Sequence, residues 1–262
     1  FVKMVEVKAR QSGLKVDGAV IVATVRGIKM HGGGFNLPPG VPYARVKADA
    51  ERENLPAVET GCQNLARHIE IVKNYGVPAV VCINRFNPDT EAEIELIRRK
   101  ALEAGADGVA VSEGWAKGGE GAVDLANEVL KAVAKPHEMR FLFKDEDSIK
   151  QKIETIATKV FGAGAVDYSA DAEARIKLFE KLGYSWMTVN MAKTHLSLSH
   201  DATLKNSPRG FRLPVRDIRA SVGAGFFYPL CGNFPTMPGL PSRPAFVDVD
   251  IDPETGKTKG LF

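Results

Sequence analysis

Cysteine is scarce in this chain, three among 262 residues, and Cys62, Cys82 and Cys231 lie too far apart for a C-x-x-C motif or a Cys/His ligand set. They read as core thiols of a reducing cytosol, and no metal centre is expected. Long apolar runs are missing too. None approaches the length that would span a bilayer, so no membrane partner is expected. No charge sign dominates: 35 Lys and Arg against 32 Asp and Glu leave a net charge of +3, interleaved along the chain. A nucleic-acid partner is therefore not expected, and an anionic small molecule suits the charge as well. There is no internal repeat, no low-complexity tract and no segment that reads as a signal peptide. The first residue is Phe1, and Phe1-Val2-Lys3-Met4-Val5-Glu6 runs directly into structured sequence, so the expectation is a chain that begins in mid-protein.

Two motifs are present only in part. Gly256-Lys257-Thr258 is the tail of a phosphate-binding loop, but Ile251 stands where the pattern needs its first Gly. An alternating strand, Phe246 to Ile251, precedes it, so a hairpin turn at Glu254-Thr255-Gly256-Lys257 is the expected structure. The segment from Met191 to His200 gathers Lys193, His195, His200 and several hydroxyls without the Gly-x-Ser-x-Gly elbow of a hydrolase. The two histidines are also wrongly spaced for ligands on one helical face, so hydrogen-bonding loop residues are expected there.

What is there is an ordinary globular composition, 44% hydrophobic and 26% charged, long enough for one large α/β domain or two smaller ones. After a helix-like opening, Ala19 to Val25 reads as a strand buried on both faces, followed by Arg26, Lys29 and the turn His31-Gly32-Gly33-Gly34. Backbone N–H groups of that turn could approach an anion, with Arg26 and Lys29 adding charge, although glycine-rich loops usually just turn. Val58, Cys62, Leu65, Ile69 and Val72 make one apolar face of a helix closed by Tyr75-Gly76. Val77 to Ile83 is a second doubly buried strand. Asp89-Thr90, with Glu93, offers a capped start to a helix striped by Ile94, Ile97, Ala101 and Ala104 and stopped by Gly105. Asp107 to Val111 is a third strand. This alternation predicts a parallel sheet.

In such a sheet ligands bind beyond the carboxyl ends of the strands, and a right-handed crossover keeps neighbouring strands parallel. Phe86 and Trp115 each stand where one strand runs out, so together they could clamp a flat ring from both faces. Packing at loop bases is the alternative that position alone leaves open. Further on, Gly118-Gly119-Glu120-Gly121 leads into a helix through Leu125, Val129 and Val133 that ends near Lys135-Pro136. A boundary is placed near residue 138, dividing an α/β sheet region (1–138) from an α+β region (139–262). From about 145 to 183 the pattern predicts two amphipathic helices, bearing Ile149, Ile153, Ile156 and Val160 and then Ile176, Phe179 and Leu182, joined by the turn Gly162-Ala163-Gly164. Short strands and turns follow Met187, beginning with Trp186 to Val189. Arg216, Asp217 and Arg219 are expected to cap or decorate a short helix, and Gly and Pro are dense from Gly223 to Pro244.

Several of these segments, in order, resemble the formate–tetrahydrofolate ligase family across essentially the whole chain. They are Ala23-Thr24-Val25-Arg26 through Lys29-Met30-His31-Gly32-Gly33, Gly61-Cys62-Gln63-Asn64-Leu65, Val80 to Phe86, Trp115-Ala116-Lys117-Gly118-Gly119-Glu120-Gly121, Met191-Ala192-Lys193-Thr194, Gly223-Ala224-Gly225-Phe226 and Thr236-Met237-Pro238-Gly239-Leu240-Pro241. The resemblance implies a ligase in which ATP phosphorylates formate and tetrahydrofolate attacks the formyl phosphate. It implies that Phe86 and Trp115, with Pro88, hold the folate, and that Val111 and Ser112 wall the formyl-phosphate pocket. Asn84, Arg85, Arg26 and Lys29 become candidates for anion or nucleotide contacts. The family's P-loop has no counterpart here, so the likeness is to a C-terminal half. The implied fold is the parallel layer of a P-loop NTPase without its P-loop half, followed by a smaller α+β region. Implied with it are ATP with Mg2+ held mostly elsewhere, a monovalent cation, a P-loop-bearing N-terminal half joined covalently or as a separate chain, homo-oligomers and a cytoplasmic setting. No catalytic residue is assigned within this half. A silent folate-binding or scaffolding module is the alternative.

Overall fold

The chain opens in a helical stretch, Lys3–Ala9 continuing as α1 (Arg10–Ser12), which Gly13 ends in left-handed backbone at φ 71°. The first strand, β1 (Ala19–Ala23), is shorter than expected, because the Thr24 hydroxyl accepts the Gly27 N–H at 3.1 Å and starts a helix instead. That helix, α2 (Val25–His31), was not expected. It carries Arg26 and Lys29, and it explains the glycines that follow. Gly34 N–H bonds the Lys29 carbonyl at 2.9 Å and Gly33 N–H bonds the Met30 carbonyl at 3.2 Å, with Gly33 at φ 81°. This is the Schellman ending of a helix, so both amides close α2 and are not free to cradle an anion. Tyr43–Arg45 form a short 3-10 turn ahead of α3 (Lys47–Glu51).

The apolar face read on the next helix is buried as expected: in α4 (Leu55–Asn74), Val58, Cys62, Leu65, Ile69 and Val72 all lie in the core. Helices α2 and α4 touch through backbone. A Cβ on Gly32 would fall 1.8 Å from the Ala57 carbonyl oxygen, and one on Gly61 would fall 1.9 Å from that of Ile28. The strand β2 (Ala79–Asn84) is buried along nearly its whole length. Thr90 then closes a full capping box with Glu93 at the start of α5 (Glu91–Glu103), and Gly105 stops it at φ 88°. The chain returns as β3 (Gly108–Ser112), passes α6 (Gly114–Lys117), and enters α7 (Val123–Val133). Strands β1, β2 and β3 pair in parallel in that order, with Ala19 opposite Ala79 and Asn84 opposite Ser112.

One expectation about this sheet is overturned. Strand β1 is not buried on both faces: Val20 and Val22, which share one face, are 43% and 64% exposed, because β1 lies at the sheet's edge where α7, packed over β3 and β2, leaves that face uncovered. Val123 and Leu130 of α7 are exposed as well.

A linker over 134–148 leads to a second layer. Helix α8 (Ile149–Ile156) is capped by Ser148 with Gln151 and runs on through Ala157–Phe161, burying Ile149, Ile153, Ile156 and Val160. A strand, β4 (Ala165–Tyr168), then intervenes where a bare turn was expected before α9 (Ala170–Lys181). Its four residues show too little alternation to be read locally, and pairing with a distant strand makes them one. Next come β5 (Thr188–Val189), shorter than the Trp186–Val189 span, β6 (Arg212–Ser221) and β7 (Phe226–Cys231), giving a mixed sheet ordered β4-β6-β7-β5. Arg216, Asp217 and Arg219 therefore sit in a strand and not on a short helix. The register shift between Val215 and Asp217 breaks the alternation that would have revealed it. One core joins the layers, with Val81 and Ile94 from the first and Ile149, Leu213 and Phe227 from the second.

The structure describes residues 1–38, 41–232 and 247–260, and these belong to two compact units, Phe1–Gly232 and Asn233–Phe262. In the second, β8 (Asp250–Ile251) and β9 (Thr258–Lys259) form an antiparallel hairpin. Gly256 N–H bonds the Asp252 carbonyl at 2.8 Å, so Gly256-Lys257-Thr258 is a hairpin turn, as expected. Phe246, most of the Gly- and Pro-dense stretch, and the segment Thr236 to Pro241 lie outside the described residues.

The α2–α4 contact makes Gly61→Ala an overpacking substitution. It should lower stability by about 1–3 kcal/mol, read as a reduced denaturant midpoint. An unchanged midpoint would show that the two helices part without cost.

Candidate functional site

The parallel register sets the carboxyl ends of β2 and β3 level, and the pairing continues one residue further, since Arg85 N–H bonds the Ser112 carbonyl at 3.0 Å. Beyond β2 the chain closes on itself. Phe86 N–H donates to Asp89 Oδ2 at 2.8 Å, and Asp89 N–H donates to the Phe86 carbonyl at 2.9 Å. This four-residue loop carries Asn87 and Pro88 at its tip and holds the Phe86 ring by its own backbone. Beyond β3, Glu113 N–H bonds the Gly121 carbonyl at 3.0 Å and pins the short helix α6, which presents Trp115 at 76% exposure. So exposed an indole has little packing at its own loop base.

Phe86, Pro88 and Trp115 line one cleft of about 190 Å³ together with Arg26, Tyr43, Ala50, Glu51, Asn87 and Asp89. The Arg26 guanidinium lies 4.0 Å from the centre of the Phe86 ring and 5.7 Å from that of Tyr43, so a cation rests on the Phe86 ring. Beneath the cleft Lys29 is 1% exposed, its ammonium 3.1 Å from Glu93 and 3.1 Å from the Arg52 carbonyl. Its charge is thereby committed inside the fold. Arg85 pairs with Glu91 at 3.2 Å. Asn84 and Ser112 are register partners at the strand ends, and Val111 packs against the core; none of these three lines the cleft. Burial pushes the Asp89 carboxyl above its ordinary range, against the opposing pull of the Phe86 N–H, Lys29 and Arg26.

Sequence reasoning missed Tyr43, Glu51 and the cleft role of Asp89, which had been read only as a helix cap. Thr90 does the capping, and the place of Asp89 on the same loop as Phe86 was the available signal. Among the described residues no group of three or more His, Cys, Asp and Glu is placed to hold a metal ion.

A family model for formate–tetrahydrofolate ligase matches residues 1–262. The chain belongs to the formate–tetrahydrofolate ligase family. A formate–tetrahydrofolate ligase of Desulforamulus reducens is 53% identical over 260 residues, covering 99% of this chain and 45% of that protein. The human mitochondrial monofunctional C1-tetrahydrofolate synthase is 46% identical over 99% of this chain and 26% of its own length. The cytoplasmic C-1-tetrahydrofolate synthase of Pongo abelii matches at 46% over 99% of this chain and 28% of its own length. The chain thus spans under half the length of these curated relatives.

Within this ligase-family chain the Met191–His200 segment is a loop in which Lys193, Ser197 and Ser199 are hydrogen-bonded as expected, whereas the buried Nδ1 of His200 has no partner among the described residues. Lys193 donates to the Thr194 carbonyl at 3.0 Å and to the Ser197 carbonyl, and stands 4.8 Å over the Phe161 ring. Ser197 and Ser199 are buried and bonded to each other at 2.9 Å. Burial lowers the Lys193 ammonium to about 8. Neighbouring Cys231, its thiol pushed up to about 12 by burial, stays uncharged in that range.

The consequence for stability has a definite sign. Below pH about 8 the amine is charged in both folded and unfolded chains, and the cost of burying it is full. Between about 8 and an unfolded value of ~10.4, the folded state has lost the proton and the unfolded chain still holds it, so stability rises with pH. The stability difference between wild type and Lys193→Met should therefore move in favour of wild type across that window. A difference that stays flat in denaturation curves across it would contradict the assignment.

Proposed function

We propose that this chain is the C-terminal half of an ATP-dependent ligase of one-carbon metabolism that formylates tetrahydrofolate with formate. The observation that carries the reading is one cleft holding Phe86 and Trp115 at the ends of adjacent parallel strands. A reduced pterin ring is flat and fits between aromatic faces, and each stacked aromatic supplies binding without a demand for a particular edge. In the reaction a formate oxygen takes the terminal phosphoryl group of ATP. The folate amine then attacks the formyl carbon, and phosphate leaves. Phe86, Trp115 and Pro88 hold the ring so that its amine meets that carbon. Val111 and Ser112, at the tip of β3, wall the acyl phosphate from water, which would otherwise hydrolyse it. To Asn84, Arg85 and Arg26 we assign contacts to an anion. Lys29, tied to Glu93, acts through the position of α2.

Phosphoryl transfer rests on positioning and charge neutralisation, supplied in P-loop enzymes by loop amides, a Lys and Mg2+. We assign those parts, and a monovalent cation where one is used, to a P-loop-bearing N-terminal half. The exposed Val20 and Val22 on the edge strand β1, with Val123 and Leu130 of α7, support a companion that continues this sheet in the manner of a P-loop NTPase. Homo-oligomers and a cytoplasmic setting belong to the same proposal. Among the described residues no helix is long and apolar enough to cross a membrane. A second reading is a silent folate-binding module, which Phe86 and Trp115 in one cleft would serve equally.

Two outcomes test the proposal. In the complete ligase, Trp115→Ala should remove roughly 1–3 kcal/mol of stacking. Folate affinity should then fall about 10- to 100-fold, with ATP affinity unchanged; equal losses for both would remove Trp115 from the folate site. The 262-residue chain alone should release no ADP and make no formyltetrahydrofolate until the N-terminal half is added. Turnover by the chain alone would contradict the split.

A further inference from the structure

Stacking selects flat rings, but every heterocycle has a π face, so Phe86 and Trp115 cannot by themselves tell one ring from another. Discrimination must come from groups that meet the ring's edge in its plane. The cleft offers two carboxylates, Glu51 and Asp89, beside the Arg26 cation. They are not equivalent. Glu51 is 32% exposed at its side chain and has Lys47 3.9 Å away. Asp89 is 9% exposed, and only one of its oxygens is used: Oδ2 accepts from Phe86 N–H, while among the described residues no hydrogen-bond donor meets Oδ1. A buried carboxylate with an open oxygen on a cleft wall is an acceptor awaiting donors.

Resting on the folate reading above, we propose that Asp89 is the specificity-determining residue of the cleft. Its carboxylate accepts hydrogen bonds from the N–H and amino group on the 2-amino-4-oxo edge of the stacked pterin. The loop geometry supports this. Because Phe86 N–H bonds Asp89 Oδ2 and Asp89 N–H bonds the Phe86 carbonyl, the stacking ring and the edge-reading carboxylate form one unit fixed by backbone. A carboxylate can accept an adjacent pair of donors, here one on the open Oδ1 and one on the second lone pair of Oδ2 beside the bond from Phe86 N–H. The charged groups facing Asp89 are Lys29 and Arg26, which favour its ionised form, and Glu93, which opposes it. Burial raises its pKa, and donors from a ligand would stabilise the ionised form.

The test uses tetrahydrofolate and its 2-desamino analogue, which keeps the stacking face and loses one edge donor, with the complete ligase. Wild type should bind tetrahydrofolate about 10- to 100-fold more tightly than the analogue. Asp89→Asn turns an acceptor toward a donor and should erase most of that preference, weakening tetrahydrofolate by more than the analogue, which keeps only one of the two edge donors. Asn retains an acceptor for Phe86 N–H, and an unchanged unfolding midpoint confirms the fold. Should the variant not fold, equal affinity of wild type for the two ligands overturns the proposal by itself. Wild-type affinities in Asp89→Asn overturn it as well, and if Trp115→Ala still weakens folate in that experiment, the cleft assignment survives alone. No binding of tetrahydrofolate by wild type would overturn the cleft assignment and this inference together.

Discussion

Parallel pairing of β2 with β3 is the constraint on which the candidate site depends. With Asn84 opposite Ser112, both strands finish at one level, and the two loops that leave them must start side by side. A slip of one residue would turn every side chain on one strand to the other face. That slip is opposed by burial, since Val80, Val81, Cys82 and Ile83 are each 4% exposed or less and have no polar alternative to present. The Asp107 carboxylate reinforces the register at the opposite end, accepting Ala79 N–H at 2.9 Å and Lys73 at 2.7 Å. Phe86 and Trp115 are thus placed by a rigid scaffold, although both ride on loops.

Charge beneath the cleft is arranged with equal economy. Glu93 serves α5 as the partner of the Thr90 cap, accepts Asn54 N–H at 2.9 Å and pairs with Lys29. One fully buried carboxylate therefore ties α2, α4 and α5 together under the aromatic floor. Removing one partner of such a pair typically costs about 3–5 kcal/mol, because the other charge is left unpaired in a poorly solvating interior. The pair is best read as a device that fixes where α2 presents Arg26. Arg26, one turn earlier on the same helix, stays in the cleft against Phe86.

Much of the first layer was legible because its signals are local. The β-branched run before Phe86, the apolar face of α4 and the Thr90–Glu93 box each declare an element within a few residues. That Phe86 and Trp115 share one cleft followed from them. What was not legible depends on distant partners. The exposure of Val20 and Val22 reflects the place of β1 in the strand order, which no residue of β1 encodes. Strand β4 exists through its pairing with β6, and the irregular register at Val215 hid β6 itself. Lys29 looked like a free cation on a glycine-rich turn, and only the folded chain brings Glu93 beneath it. Asp89 was hidden by a correct local reading of its neighbour as a helix cap.

The central claim is that a folate ring stacks on Trp115, and the indole itself reports it. The chain has two tryptophans, and Trp186 is also exposed, at 56%. In the complete ligase, titration with tetrahydrofolate should change tryptophan emission in a saturable way that is lost in Trp115→Phe and kept in Trp186→Phe, and titration with ATP alone should leave the Trp115-dependent part unchanged. Emission that is indifferent to tetrahydrofolate at saturating concentrations, with turnover intact, would contradict the account.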